Sequence, residues 1–269
     1  MEKKRNLLIA VMAFLLSVPV MLIAQETQEE AEQSVDYDYK VSVDFQTRYV
    51  WRGQPLGGAS PSLQPCMSFS WKGFEIGTWG AFGFNNQPVQ ELDFFLSYTF
   101  WKDRFTVTVT DYGAPDEANG DFNYFDYPNT HCLEGGFSYN GEENVPISAA
   151  IYCMFYGADA KKENGDNLFS SYAEVSYNPT FKKIGVDFSL WLGCALNGAD
   201  WTTTDSVTGI VDNHHGFYGN KGFACVSTGI RASKSFPIGK KLTLPLSTSL
   251  SFNPAAKKAY LVATVGLAL

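Results

Sequence analysis

From Tyr39 to Leu269, apolar and polar residues alternate in stretches separated by turn-forming residues. A period of two is the signature of strands with two unlike faces. The alternation predicts strands at residues 39–52, 62–71, 74–84, 91–100, 105–112 and 131–139, then 146–156, 168–177, 184–194, 222–236, 242–252 and 260–269. No long stretch carries a helical period. In the first strand Val41, Val43, Phe45, Tyr49 and Trp51 share one face, and Lys40, Ser42, Asp44, Gln46, Arg48 and Arg52 share the other. Leu242, Leu244, Leu246 and Leu250 likewise oppose Thr243, Ser247, Ser249 and Ser251.

The junctions alternate in length. Lys72-Gly73 and residues 101–104, 140–145, 178–183 and 237–241 are short, whereas 53–61, 113–130, 157–167 and 195–221 are mostly longer. Segment 253–259 is the short exception. Long loops on one side and tight turns on the other are the asymmetry of an outer-membrane barrel, whose strands of about 9–11 residues cross the bilayer at a tilt. The expected fold is therefore all-β: a transmembrane up-and-down antiparallel β-barrel of about twelve strands, with both termini in the periplasm. Trp71, Phe100, Tyr139, Tyr177 and Phe236 end the descending strands on the apolar register and form a candidate periplasmic-side aromatic girdle.

The N-terminus changes the domain picture. Lys3, Lys4 and Arg5 precede an apolar run from Leu7 to Ile23, and Ala24-Gln25 offers a cleavage point. Residues 1–24 read as a signal peptide, 25–38 as an acidic periplasmic tail, and 39–269 as the barrel. The mean hydropathy of −0.13 excludes a polytopic helical membrane protein. A net charge of −8, which grows more negative without the signal, argues against nucleic acid as a partner. The five cysteines, Cys66, Cys132, Cys153, Cys194 and Cys225, are odd in number and irregularly spaced, so no disulfide framework or zinc site follows. They read as small apolar wall residues; a Cys194–Cys225 bridge near the tops of two adjacent strands is the one pairing left open.

The run from Val41 to Asn85, with Glu91–Phe100 and Phe105–Tyr112 after it, resembles the TorF-type proposed porins, a family of bacterial secreted proteins of unknown function also called Gcw_chp. The most specific part is Thr47-Arg48-Tyr49-Val50-Trp51-Arg52-Gly53. The resemblance implies an outer-membrane barrel with a transport role in a Gram-negative bacterium and supplies no catalytic residues. The chain ends in Leu269 rather than the aromatic that the barrel-assembly machinery commonly reads. That machinery and outer-membrane lipid are the expected partners.

The polar register carries candidate lumen-lining residues: Lys40, Asp44, Arg48, Arg52, Glu75, Glu91, Asp93, Glu134, Glu174, Asp187 and Arg231. They can line a narrow channel for passive diffusion of small polar solutes, biased by the acids toward cations or neutral molecules. They can instead pair across a filled interior, since buried charges need partners. The barrel would then be structural or surface-binding and act through its external loops. Twelve strands lie between a filled and an open lumen, so width does not decide. Asp116, Glu117, Asp121, Phe122, Tyr124, Phe125, Asp126 and Tyr127 crowd the 113–130 loop, which can stand in solvent, bind sugars or fold inward. The 195–221 loop holds Trp201 and the pair His214-His215, with no companion ligands for a metal. A barrel hydrolase resting on His131 is the minor alternative, because a nucleophile needs an oriented base beside it. No enzyme activity, cofactor or metal is expected.

Overall fold

The computed structural model describes residues 37–84, 90–113, 124–142, 144–206 and 208–269. The expected signal peptide and most of the acidic tail lie outside the described residues, as do Asp116, Glu117, Asp121 and Phe122 of the 113–130 loop. Successive strands are β1 (Tyr37–Gln46), β2 (Ser62–Trp71), β3 (Phe74–Gly83), β4 (Gln90–Phe100) and β5 (Phe105–Gly113). A single helical turn, α1 (Tyr127–Thr130), leads into β6 (His131–Tyr139), β7 (Ile147–Gly157) and β8 (Ser171–Tyr177). The chain continues through β9 (Thr180–Phe181), β10 (Val186–Ala195), β11 (Asp200–Thr204) and β12 (Val211–His215). It ends with β13 (Ala224–Ile238), β14 (Leu242–Asn253) and β15 (Lys258–Ala268).

Twelve of these strands close a ring. Neighbours run β1 to β8 in order, then β10, β13, β14 and β15, which pairs back onto β1. All pairings are antiparallel. Closure leaves no sheet edge, so the backbone polar groups of the wall pair strand to strand, which a lipid-embedded sheet requires. β9 is a two-residue piece that continues β8 along β10, and β11–β12 is a separate hairpin in the loop between β10 and β13.

The expected strand bounds agree within a few residues except at the first. β1 begins at Tyr37, two residues before the expected first strand, because Tyr37 and Asp38 pair with Trp71 and Ser70. It ends at Gln46, opposite Ser62 and Thr264. Residues 47–52 are therefore not wall, and Tyr49 and Trp51 do not face lipid.

The two faces of the wall sort by residue type. Leu63, Ile76, Leu96, Val109, Ile151, Leu192, Ile230, Leu250 and Val265 are all exposed, whereas Ser62, Gln64, Glu91, Asp93, Ser97, Glu134, Ser227 and Ser251 are buried. The fold is thus inverted relative to a water-soluble sheet: its apolar side needs a nonpolar solvent. Both termini of the ring, Tyr37 and Ala268, lie toward the short-turn end.

Candidate functional site

The segment after β1 turns into the lumen. Thr47 keeps the last contacts with β15, its N–H donating to the Ala263 carbonyl at 3.0 Å while its Oγ1 accepts from the Ala263 N–H at 3.0 Å. Beyond it, Trp51 and Gln54 exchange two backbone hydrogen bonds of 2.8 Å. The residues between them, Arg52 (φ 45°) and Gly53 (φ 76°), both have positive φ. Two consecutive positive-φ residues closed by reciprocal bonds make a two-residue hairpin turn of the primed type. Gly53 is required twice over, because a β-carbon there would also stand 1.9 Å from the Val226 carbonyl oxygen. The Trp-Arg-Gly of the sequence motif is thus a miniature hairpin inside the barrel.

Its tip carries Arg52 to the opposite wall. Nη1 lies 2.5 Å from Glu134 Oε1, and Nη2 donates to Glu134 Oε2 at 2.8 Å. Glu134 belongs to β6, five strands around the ring from β1, so the bridge spans the lumen. Tyr112 donates to Glu134 Oε2 at 3.0 Å, and Nη1 also donates to the Tyr218 hydroxyl at 2.9 Å. The guanidinium sits over three rings, with Trp51, Tyr152 and Tyr172 at 4.5, 4.3 and 4.6 Å from its carbon. Burial opposes the charge of Arg52, but the Glu134 and Tyr218 oxygens more than offset it, and the guanidinium is held above its ordinary pKa. Burial first, and then Glu134, push the Tyr218 phenol up to about 12. Tyr172 fits because its ring reaches along β10 to Gly193, where a β-carbon would fall 1.8 Å from the Tyr172 oxygen.

A second polar cluster stands on β4 to β6. The Tyr49 hydroxyl donates to Glu91 Oε1 at 3.2 Å, and the Gly113 N–H donates to Asp93 Oδ1 at 3.2 Å. His131, fully buried, has Nδ1 2.7 Å from Asp111 Oδ1, while its Nε2–H donates to the Tyr124 carbonyl at 2.6 Å. Its ring stacks on Tyr127 with centroids 3.9 Å apart. Both ring nitrogens are thus engaged by groups at the mouth of the barrel. Tyr124 and Tyr127 of the 113–130 loop therefore cap His131 and Asp111.

The inward hairpin separates two cavities. On the long-loop side, about 430 Å³ is lined by Trp51, Gln54, Tyr112, Asn129, His131 and Phe217 among others. On the other side, about 310 Å³ is walled chiefly by hydroxyl and charged groups, including Asp44, Glu174, Arg231, Ser227, Ser247 and Ser249. Arg52 and Tyr49 line the second from above.

The eleven expected lumen residues fall at several levels. Arg52 and Glu134 meet in the bridge, while Glu91 and Asp93 lie beside Tyr49. Asp44, Glu174 and Arg231 line the inner cavity. Lys40, Glu75 and Asp187 sit on the inward register near the short turns, the last accepting from Thr180 Oγ1 at 2.7 Å. Arg48 and Arg52 depart from expectation in one respect: they belong to the inward segment rather than to a strand. Arg48 lies over the Tyr260 ring at 5.6 Å. Trp71, Tyr177 and Phe236 are 51, 49 and 41% exposed at the short-turn end. Phe100 and Tyr139 flank the ring of Phe105 at 5.9 and 5.6 Å in the same band.

Sequence reasoning missed the rings around Arg52. Tyr112, Tyr152 and Tyr172 each share the register of small or polar residues in their strands, such as Thr108 and Thr110 or Glu174 and Ser176. An aromatic on the polar register was the available signal. His214 and His215 lie in the β11–β12 hairpin, where His214 stacks on Trp201 at 3.8 Å and its Nε2 is 3.0 Å from Thr203 Oγ1. His215 Nδ1 is 4.0 Å from Asp200.

The model of a family described as bacterial protein of unknown function (Gcw_chp) matches residues 30–186. No curated protein sequence matches the chain. Among solved structures, the NanC porin aligns with a TM-score of 0.46 at 10% identity, over 84% of this chain and 98% of NanC. An outer membrane channel from Pseudomonas putida F1 gives 0.46 at 11% identity, over 89% and 99%. The CymD monoaromatic hydrocarbon channel gives 0.40 at 8%, over 87% and 88%.

Proposed function

The chain belongs to the Gcw_chp family and is an outer-membrane barrel of a Gram-negative bacterium, and we propose that it is a narrow channel for passive diffusion of small polar solutes. The observation that carries this reading is the inner cavity of about 310 Å³, walled by serine hydroxyls and charged groups on an otherwise polar lumen register. A barrel that served only as a scaffold would fill this space with side chains, as small barrels do. The inward hairpin, locked by Arg52 and Glu134, is the constriction between this space and the mouth. Acids outnumber bases among the lumen residues, so the channel favours cations and neutral solutes. Residues 1–24 act as the export signal, and the short acidic segment before Tyr37 is periplasmic. In planar bilayers, the purified protein gives small, discrete, cation-biased current steps. Silence at every voltage, with the barrel shown to be folded, refutes the reading.

A second reading is favoured by the wall-to-wall Arg52–Glu134 bridge. In it the barrel is closed and the mouth cavity, lined by Trp51, Gln54 and Phe217, is a binding surface. The same recording separates the two, because a closed barrel carries no current.

A further inference from the structure

We propose that Cys194 and Cys225 form a disulfide in the exported protein, closing the neck of the loop that runs from residue 196 to residue 223. The two residues are direct partners across the β10–β13 ladder, at a register shift between Gly193 and Cys194. Directly opposed residues in an antiparallel ladder have Cα atoms about 4.5–5.5 Å apart, inside the span a disulfide bridges. The Sγ atoms are 2.8 Å apart, closer than two non-bonded sulfurs rest and within a small χ1 rotation of a bond of about 2.05 Å. Both side chains are partly exposed at the long-loop rim, open to an oxidant. The remaining cysteines are differently placed: Cys132 is buried, Cys66 faces Ser42 and Trp79 across its ladders, and the Cys153 thiol donates to the Phe169 carbonyl. An exported barrel passes through an oxidising compartment, where a pair held at this distance does not stay reduced.

The chemistry is dithiol–disulfide exchange with an oxidase disulfide of that compartment. One thiolate attacks the oxidase sulfur, forming a mixed disulfide and releasing an oxidase thiolate. The second thiolate then attacks the sulfur of its partner, releasing the other oxidase thiolate. Two protons leave the barrel cysteines, two electrons pass to the oxidase, and one S–S bond forms. The bond pins both ends of the segment that carries Phe217 and Tyr218 to the Arg52 cluster. The bridge holds whether or not the lumen conducts.

The test is a thiol count on the full chain. Cells are quenched in acid, and the denatured chain is alkylated with iodoacetamide before and after reduction and weighed intact. With five cysteines in the chain, we expect three labels before reduction and five after, with a linked Cys194–Cys225 peptide. The Cys194→Ser variant should show four labels without reductant. Five labels on the unreduced wild-type chain, or a linkage involving Cys66, Cys132 or Cys153, overturns the proposal.

Discussion

Replacing Arg52 by Met keeps an unbranched stem about as long as the arginine methylenes and removes both of its bonds to Glu134. The Glu134 side chain is 2% exposed, and with Arg52 gone the Tyr112 hydroxyl at 3.0 Å is the donor left to it among the described residues. Removing one partner of a buried ion pair costs about 3–5 kcal/mol, because the charge left behind is uncompensated. Losing the cation from among Trp51, Tyr152 and Tyr172 adds about 1 kcal/mol or more. The inward hairpin is the element that can yield, so most of this cost appears as its release. The amide of Trp51, bonded to Gln54, should exchange with solvent roughly 10²–10³ times faster, at about 1.4 kcal/mol per decade. Native-state hydrogen exchange in detergent or lipid measures this, with wall amides such as Leu250 as the internal standard. Adding Glu134→Gln to Arg52→Met should restore much of the protection, since the neutral amide is less costly to bury. Additive effects of the two substitutions, or unchanged exchange at Trp51, would refute the reasoning.

Three further outcomes follow from the same geometry. Gly53→Ala places a methyl against the Val226 carbonyl at a positive φ; it should expose Trp51 to iodide quenching while the barrel still folds, and an unchanged quenching profile contradicts it. Leu250 faces lipid and Ser249 faces the inner cavity, so Leu250→Arg should cost about 2–4 kcal/mol in lipid unfolding titrations and Ser249→Arg much less; equal costs contradict the assigned faces. Burial raises Tyr218 to about 12 from an ordinary value near 10, so the folded state binds its proton more tightly than the unfolded one. Stability present below about pH 10 is therefore lost as pH rises toward 12, and Tyr218→Phe should flatten that fall in alkaline melting curves.

Most of the wall was legible in the sequence because a barrel strand writes its two environments into alternate residues. β2, β6 and the β2–β3 turn were read directly from such runs as Ser62–Trp71. Residues 47–52 misled for a physical reason. Val41 to Trp51 alternates apart from Thr47 and Val50, so periodicity alone continues the strand past Gln46. What ends β1 is the pairing available on either side, Ser62 and Thr264, together with the positive-φ turn at Arg52-Gly53. The motif that resembles the family most closely is thus the part that leaves the wall. The bridge itself joins residues far apart in sequence, Arg52, Glu134 and Tyr218, and only the ring order of the strands brings them together.

The central claim is that the lumen conducts and that the Arg52–Glu134 bridge restricts it. The most direct test is single-channel recording of the wild type beside the Arg52→Ala/Glu134→Ala double variant, which removes the bridge without leaving a buried charge. The wild type should pass small cation-biased currents, and the double variant, with its barrel intact, should pass severalfold larger ones with the same preference. Folded barrels that are both silent, or that conduct equally, would contradict it.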